Sequence, residues 1–367
     1  MISKKNKYIK HVLILIILAS CTSTSENLTN SSNVAHSNNF QRNIEDIYTY
    51  KNFFISDLEV IQQAIESQNL SQTQLRDIRL LKNNYQKVLS KNKYKIELGP
   101  SQKYSKELIE LIYQYNLPIN ISWNKDENNM IPEEIFQNKI EGFCSSLYDD
   151  SISSINKEIT SSPGAILIIY SEEYGSFTKG IKSANENIYT IKYDESNTQK
   201  FASKILGINL SKERFQKISN LNPNQMMNFK PRSRADIKQI VLILKPIEFK
   251  AIIPALRYHG GDKFKYVNFI SSLEGLSDPL QLLDYEDSFT PISKFFSRKI
   301  QSESSTSIEG FLKYGALGDW MINNILKQAG VESAKIDGLT GTVFYNSNSC
   351  NRRVIPMQRI SSDLFSS

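Results

Sequence analysis

The chain has 367 residues, 40% of them hydrophobic, which is enough to bury a large two-lobed domain or two domains. Its formal charge of +6 includes Lys4, Lys5, Lys7 and Lys10, and without those four lysines the balance is +2. So small a charge gives no electrostatic footprint for a nucleic-acid partner, and none is expected.

The four lysines precede the apolar run Val12–Leu18, after which come Ala19, Ser20 and Cys21. A positive start, a short apolar core and small residues make an export signal, and the run is too short to span a bilayer. Leu18-Ala19-Ser20-Cys21 resembles the lipobox of bacterial lipoproteins. The resemblance implies cleavage of residues 1–20 and lipidation of Cys21, and at ~0.8 kcal/mol per buried CH₂ several acyl chains hold a protein on a membrane. By the sorting rule of the enteric lipoproteins it resembles, Thr22 rather than Asp after that Cys implies passage to the outer membrane, facing the periplasm. Residues 21–42 are Ser, Thr and Asn with almost nothing apolar, and form a tether whose root-mean-square reach is roughly 25 Å.

Over residues 43–94 the apolar residues fall at helical spacing: Leu58, Ile61 and Ile65, then Leu75, Ile78, Leu81, Tyr85 and Val88. Ser71 stands where an N-cap belongs, so the stretch is expected to be a helical hairpin turning at Gln68–Ser71.

From residue 95 to 367 strands and helices alternate, which argues an α/β fold. Strands are expected at 95–98, 119–122, 140–147, 164–170, 187–193, 232–244 and 266–270. Helices are expected around 108–112, 152–159, 177–184 and 201–206, from an N-cap at Ser211 through Phe215 and Ile218, from Ile247 to Leu256 with Ala251 on the buried face, and over 308–326. The run Ile240–Leu244 is continuously aliphatic and reads as a central parallel strand buried on both faces. The closing stretches 338–345 and 353–360 read as a β-hairpin.

Several motifs stand in a fixed order. Leu98-Gly-Pro100 and Leu117-Pro-Ile-Asn-Ile-Ser122 come first, then Phe201–Ser211 with Arg214, then Pro231-Arg-Ser-Arg-Ala-Asp236. Tyr314-Gly-Ala-Leu-Gly-Asp319 and Gly338-Leu-Thr-Gly341 complete the series. Together they resemble the LppC/LpoA-like lipoproteins, outer-membrane activators of class A penicillin-binding proteins. The resemblance covers roughly residues 95–360. It implies a two-lobed domain of the type 1 periplasmic binding-protein fold, and a peptidoglycan synthase as partner. The opening strand typical of that family has no counterpart before Lys95, so the first lobe is expected to be reduced, with the helical hairpin before it.

Chemistry-bearing residues are sparse. The three histidines are His11, His36 and His259, and only the last lies in the expected folded part, so no His-based triad or zinc site can be assembled. His259-Gly-Gly-Asp-Lys263 follows a helix and precedes a strand, the wrong order for a phosphate loop; it reads as a helix-ending turn with Gly260 or Gly261 in the left-handed region. Asp149-Asp150 and Glu172-Glu173 read as solvated loop pairs. Trp320 and Tyr314 read as core of the long helix. Cys144 and Cys350 face a compartment that permits a bridge, although two free cysteines, with Cys350 in a turn, is the plainer reading.

Ligands of open α/β sheets sit outside the carboxyl ends of the strands, so the residues expected to line a cleft are Ser101, Ser122, Ser145, Ser171, Tyr174 and Ser271. No metal or cofactor is expected, and no enzymatic activity. Two readings follow: a regulatory lipoprotein acting on a peptidoglycan synthase, and a lipid-anchored receptor for an amino acid or similar small molecule.

Overall fold

Ser71 opens the first well-described helix, α1 (Gln72–Leu89), through a reciprocal cap. Its hydroxyl accepts the Gln74 N–H at 3.3 Å, and the Gln74 side chain accepts the Ser71 N–H at 2.9 Å. The computed structural model describes residues 62, 65, 66, 71–99, 104–114, 117–123, 131–160, 164–181, 187–194, 196–221, 223, 228–276, 278–293 and 308–361. The export signal, Cys21, the tether, Ser101 and nearly all of the expected first helix of the hairpin lie outside the described residues. What is described of that helix is helical at Gln62, Ile65 and Glu66, and Lys82 of α1 donates to the Gln62 side chain.

Helix α1 buries Ile78, Leu81, Tyr85 and Val88 along one face. It leads into a small parallel sheet in which β1 (Tyr94–Leu98) pairs with β2 (Ile119–Trp123), Tyr94 lying opposite Ile119. The crossover between them is α2 (Ser105–Gln114), whose Leu108 and Leu111 are buried. A two-stranded sheet cannot close a core by itself, and here the missing cover comes from the far end of the chain. Helix α7 (Ile308–Gln328) packs on α2 and β1, where Gln328 exchanges hydrogen bonds with the Lys95 backbone at 3.0 and 2.7 Å. Among the described residues no helix is long and apolar enough to cross a membrane.

The main sheet begins after α3 (Leu147–Thr160). Its strands are β3 (Ala165–Tyr170), β4 (Ile188–Lys192), β5 (Ile237–Ile243), β6 (Lys265–Asn268), β7 (Ser288–Pro291) and β11 (Met357–Arg359). Their spatial order is β11-β7-β6-β5-β3-β4, parallel throughout except for β11. Ile166–Ile169 and Ile240–Ile243 are all buried, as a strand covered on both faces requires. The chain steps from β3 outward to β4, then returns past β3 to lay down β5 on its other side. Crossovers of one hand in opposite directions put helices on both faces. On one face α4 (Thr198–Ile205) packs on α6 (Pro246–Gly260), and on the other α3 packs on the 3₁₀ helix Glu172–Gly180. The protein is therefore α/β, with two lobes built on parallel sheets, the first of two strands and the second of six. Asp46–Ser367 makes one compact unit.

Several expectations are corrected. Residues 140–147 are not a strand: only Phe143 makes an isolated bridge, to Asn351, and Gly142 turns the chain at φ +87°. Ser146 and Asp149 then cap each other's backbone N–H groups, at 3.1 and 3.2 Å, and this starts α3. The segment expected as a helix from Phe177 is the 3₁₀ helix that begins at Glu172. Helix α5 (Ile208–Leu221) starts before Ser211, whose hydroxyl accepts from the Arg232 N–H instead. Ile247 is 76% exposed and Ala251 also faces solvent, because Phe249, Ile252, Ile253 and Leu256 make the inner face of α6. Gly261 has a positive φ but a ψ of −150°, outside the left-handed helical region and open to glycine.

Two further differences concern strands. The 232–244 strand is regular only from Ile237, and Ile270 opens a short 3₁₀ helix, Ile270–Leu273, after β6. The closing hairpin is part of a three-stranded antiparallel sheet, β8 (Ser333–Asp337), β9 (Thr342–Asn346) and β10 (Arg352–Val354), in the order β10-β9-β8. Pro356 has no N–H to extend that ladder, and after it the chain joins the main sheet as β11.

Candidate functional site

The reversal of direction between β3 and β5 leaves a crevice at their carboxyl ends, the usual ligand position in an open α/β sheet. Ser171 follows β3 there, and Lys245 follows β5. The Lys245 N–H is shared between Ser171 Oγ at 3.1 Å and Glu248 Oε2 at 3.4 Å, and the Ser171 hydroxyl donates to Glu248. Pro246, at the first position of α6, needs no hydrogen-bond partner, and Glu248 reaches back from the third. The cavity above this floor has a volume of about 760 Å³, and Glu172, Glu173, Lys192, Tyr193 and Asp194 complete its wall.

Both lysines of the crevice are matched within it. Lys245 pairs with Glu173 at 2.7 Å, and Lys192 pairs with Glu172. The hydrogen bond from Lys192 holds the Glu172 carboxyl below the usual range, and Glu172 in turn raises the Lys192 ammonium. Asp194 accepts the Ser196 N–H at 3.0 Å, which lowers its carboxyl as well. Glu248 is buried and held by Ser171. Beside the floor lies an aromatic cluster in which Tyr174 meets Tyr148 and Phe269 edge-on, at 5.8 and 6.0 Å between ring centres. Burial pushes both phenols up, as does the nearby Glu274 carboxylate, to which Tyr148 donates.

Of the six residues expected at the cleft, Ser171 lies buried under the cavity, bonded to Glu248, and Tyr174 lies buried in the aromatic cluster beside it; neither lines the cavity wall. Ser271 lies beneath, fully buried, its hydroxyl donating to the Leu244 carbonyl at 2.9 Å. Ser122 lies on β2 in the small sheet, with its Oγ buried and unpaired. Ser145 belongs to a separate assembly, donating to Asp150. The residues that were missed, Glu173, Lys192, Lys245 and Glu248, carried one legible signal. A Lys-Pro-x-Glu sequence directly after a buried strand marks a helix start at the strand's carboxyl end.

The second assembly is a buried charged network. Arg353 donates through Nε to Asp150 at 2.9 Å and through Nη1 to Thr340 Oγ1 at 2.9 Å, and its guanidinium covers the Phe143 ring at 4.3 Å. Thr340 Oγ1 donates to Asp319, which also accepts the backbone N–H groups of Leu339 and Thr340 at 2.7 and 3.0 Å. Burial raises both carboxyls against the opposing pull of Arg353 and these donors. Asp150 is thus no solvated loop residue, whereas Glu172 and Glu173 are exposed as expected. The Gly338-Leu-Thr-Gly341 motif has its physical reason here. A Cβ on Gly338 would stand 2.5 Å from the Asp319 carboxylate, and one on Gly341 would stand 2.6 Å from the Val354 carbonyl oxygen.

Next to this network Cys144 and Cys350 form a disulfide, with their Cα atoms 4.8 Å apart, which corrects the expectation of free thiols. Backbone pairing sets it up: Cys144 N–H donates to Asn351 at 2.9 Å and Asn351 N–H to Gly142 at 2.7 Å. Trp320 is core as expected, but Tyr314 is only half-buried and donates to Glu110 at 2.5 Å.

No family model and no curated protein matches the chain. Among solved structures, full-length LpoA from Haemophilus influenzae is similar at a TM-score of 0.37 and 10% identity, over 84% of this chain and 55% of that one. This chain thus spans just over half of that protein's length. An ABC transporter substrate-binding protein from Desulfitobacterium hafniense, in complex with Leu, is similar at a TM-score of 0.37 and 9% identity, over 70% of this chain and 95% of that one.

Proposed function

We propose that the protein is a non-enzymatic outer-membrane lipoprotein, anchored through Cys21, that binds and activates a class A penicillin-binding protein and so regulates peptidoglycan synthesis. The observation that carries the reading is that both lysines of the crevice are already paired. A small zwitterion binds by offering its ammonium and carboxylate to groups of opposite charge. Here Glu172, Glu173, Lys192 and Lys245 are paired with one another, and Glu248 is closed over by Ser171. Admitting such a ligand means competing with those exposed pairs and drawing the buried Glu248 carboxylate away from the Ser171 hydroxyl. The ordered motifs support the same reading. Two of them, Asp319 and Gly338–Gly341, meet in one buried network rather than at the crevice.

The position of the crevice, at the reversal point of the sheet and with a volume of about 760 Å³, favours a second reading, a lipid-anchored receptor for an amino acid. One experiment separates the two. The full chain is added to each class A synthase of the same cell with lipid II as substrate, and crosslinking is read by muropeptide analysis, while calorimetry titrates the free amino acids into the chain. A rise in glycosyltransferase or transpeptidase rate with silent calorimetry supports the activator. Unchanged rates with a binding isotherm put the receptor in its place.

A further inference from the structure

Helix α5 is the least covered helix of the main lobe, with Ile208 alone of its residues buried. Leu210, Ile218 and Leu221 are 52%, 54% and 83% exposed. At 3.6 residues per turn, Leu210, Phe215, Ile218 and Leu221 fall within an arc of about 140°. Phe215 stacks on Phe229 of the following segment at 4.5 Å, and that segment is tied back to the helix by the Arg232 N–H on Ser211 Oγ at 3.2 Å. The helix and segment make one apolar surface.

The surface has a charge of its own. Residues 208–234 carry six cations against the single anion Glu213, while the remainder of residues 21–367 is net negative. Lys212, Arg214, Lys217, Lys230 and Arg232 are exposed. Lys212 and Lys217 stand at the two edges of the apolar arc, whereas Arg214 stands inside it, between Leu221 and Ile218.

We propose that this face of α5 docks on an anionic lipid surface, with Leu210, Ile218 and Leu221 entering the headgroup boundary and the cations meeting lipid phosphates. An apolar stripe bordered by Lys and Arg is the pattern of a helix lying in a membrane interface. Arg214 decides between lipid and protein. On a bilayer its long stem lies along the apolar neighbours while the guanidinium rises to a phosphate. A protein groove closing over the same arc would bury that charge and would need its own carboxylate at that spot. The inference does not rest on the activator reading.

The test uses the full lipidated chain reconstituted on vesicles, so that attachment is the same in every sample. With Cys144 and Cys350 bonded and Cys21 acylated, Leu221→Cys supplies a single free thiol for an environment-sensitive fluorophore, at a position exposed enough to leave the fold intact. Tyr113→Cys, 81% exposed on α2, is the control. Expected on phosphatidylcholine vesicles containing one third phosphatidylglycerol are a blue shift at 221 and quenching by a lipid-borne quencher, with no change at 113. Both signals are lost on pure phosphatidylcholine, at high salt, and in Lys212→Glu with Lys217→Glu. A probe at 221 as wet on the anionic vesicles as on the neutral ones overturns the proposal. So does an equal shift on both lipids, or a shift that appears only when an acidic envelope protein is added.

Discussion

Arg353 and Asp150 form a buried ion pair across 203 positions of sequence, Nε to Oδ2 at 2.9 Å, joining the last third of the antiparallel sheet to the first turn of α3. Taking two charges out of water is expensive, so the pair adds little net stability while intact but leaves a costly orphan if halved. Arg353→Met is therefore expected to destabilise the fold by about 3–5 kcal/mol. Asp150→Asn with Arg353→Met together should cost much less than the sum of the two singles. Urea unfolding of the three variants, read as a double-mutant cycle, checks both statements.

Asp319 makes a prediction about pH. Its burial raises the folded-state pKa above the ordinary carboxylate value, so between those two values the folded protein binds the proton more tightly than the unfolded chain. The contribution is fully present below the unfolded pKa and is lost as pH rises through the folded one. Asp319→Asn should flatten this part of the stability-versus-pH curve, and Asp319→Ala, which orphans the Leu339 and Thr340 donors, should cost about 3 kcal/mol or more at any pH. Melting temperatures between pH 4 and 8 test the sign.

The Cys144–Cys350 bridge closes a loop of 206 residues, and by the chain-entropy account its removal should cost up to about 5 kcal/mol. Cys144→Ser with Cys350→Ser should keep the native spectrum while lowering the urea midpoint, because the Phe143–Asn351 backbone pairing holds the two loops together without sulfur. A midpoint equal to that of the parent would show that the bridge is idle.

Cys21→Ser is expected to remove the acyl acceptor and leave the protein without its lipid anchor. Mass spectrometry of the N-terminal peptide is the check. An unchanged acylated mass in the variant would refute the lipobox assignment.

The fold was legible where burial is one-sided or complete. Ile240–Ile243 and Ile166–Ile169 are continuous aliphatic runs because helices cover both faces, and such a run has few other uses. Ser71 was legible because a cap is local chemistry. What stayed hidden depends on distant partners. Apolar spacing around Ile140–Leu147 reads as a strand until Gly142 and the Ser146–Asp149 cap are seen to turn the chain. Asp149-Asp150 looks like a surface pair because nothing nearby in sequence announces Arg353. At the crevice, the rule that ligands sit at strand carboxyl ends leads to Ser171, under the floor, and Tyr174, beside it. That rule names positions and not partners, so it could not show that Lys245 and Lys192 are already matched by Glu173 and Glu172.

The stretch from Leu339 to Ile360 supplies Thr340 and Arg353 to the buried network, Cys350 to the bridge, and β11 to the edge of the main sheet. Each of these pieces follows its partner in the sequence, so during synthesis the partner is made first. Until they arrive, β7 has an open edge, Asp150 has no counter-charge, and the smaller lobe lacks the cover that α7 brings only shortly before. Closing contacts over such long separations of sequence costs chain entropy before it returns any energy, which slows folding. For a product cut short before residue 339, the same arrangement makes clearance by proteases the expected fate rather than partial function.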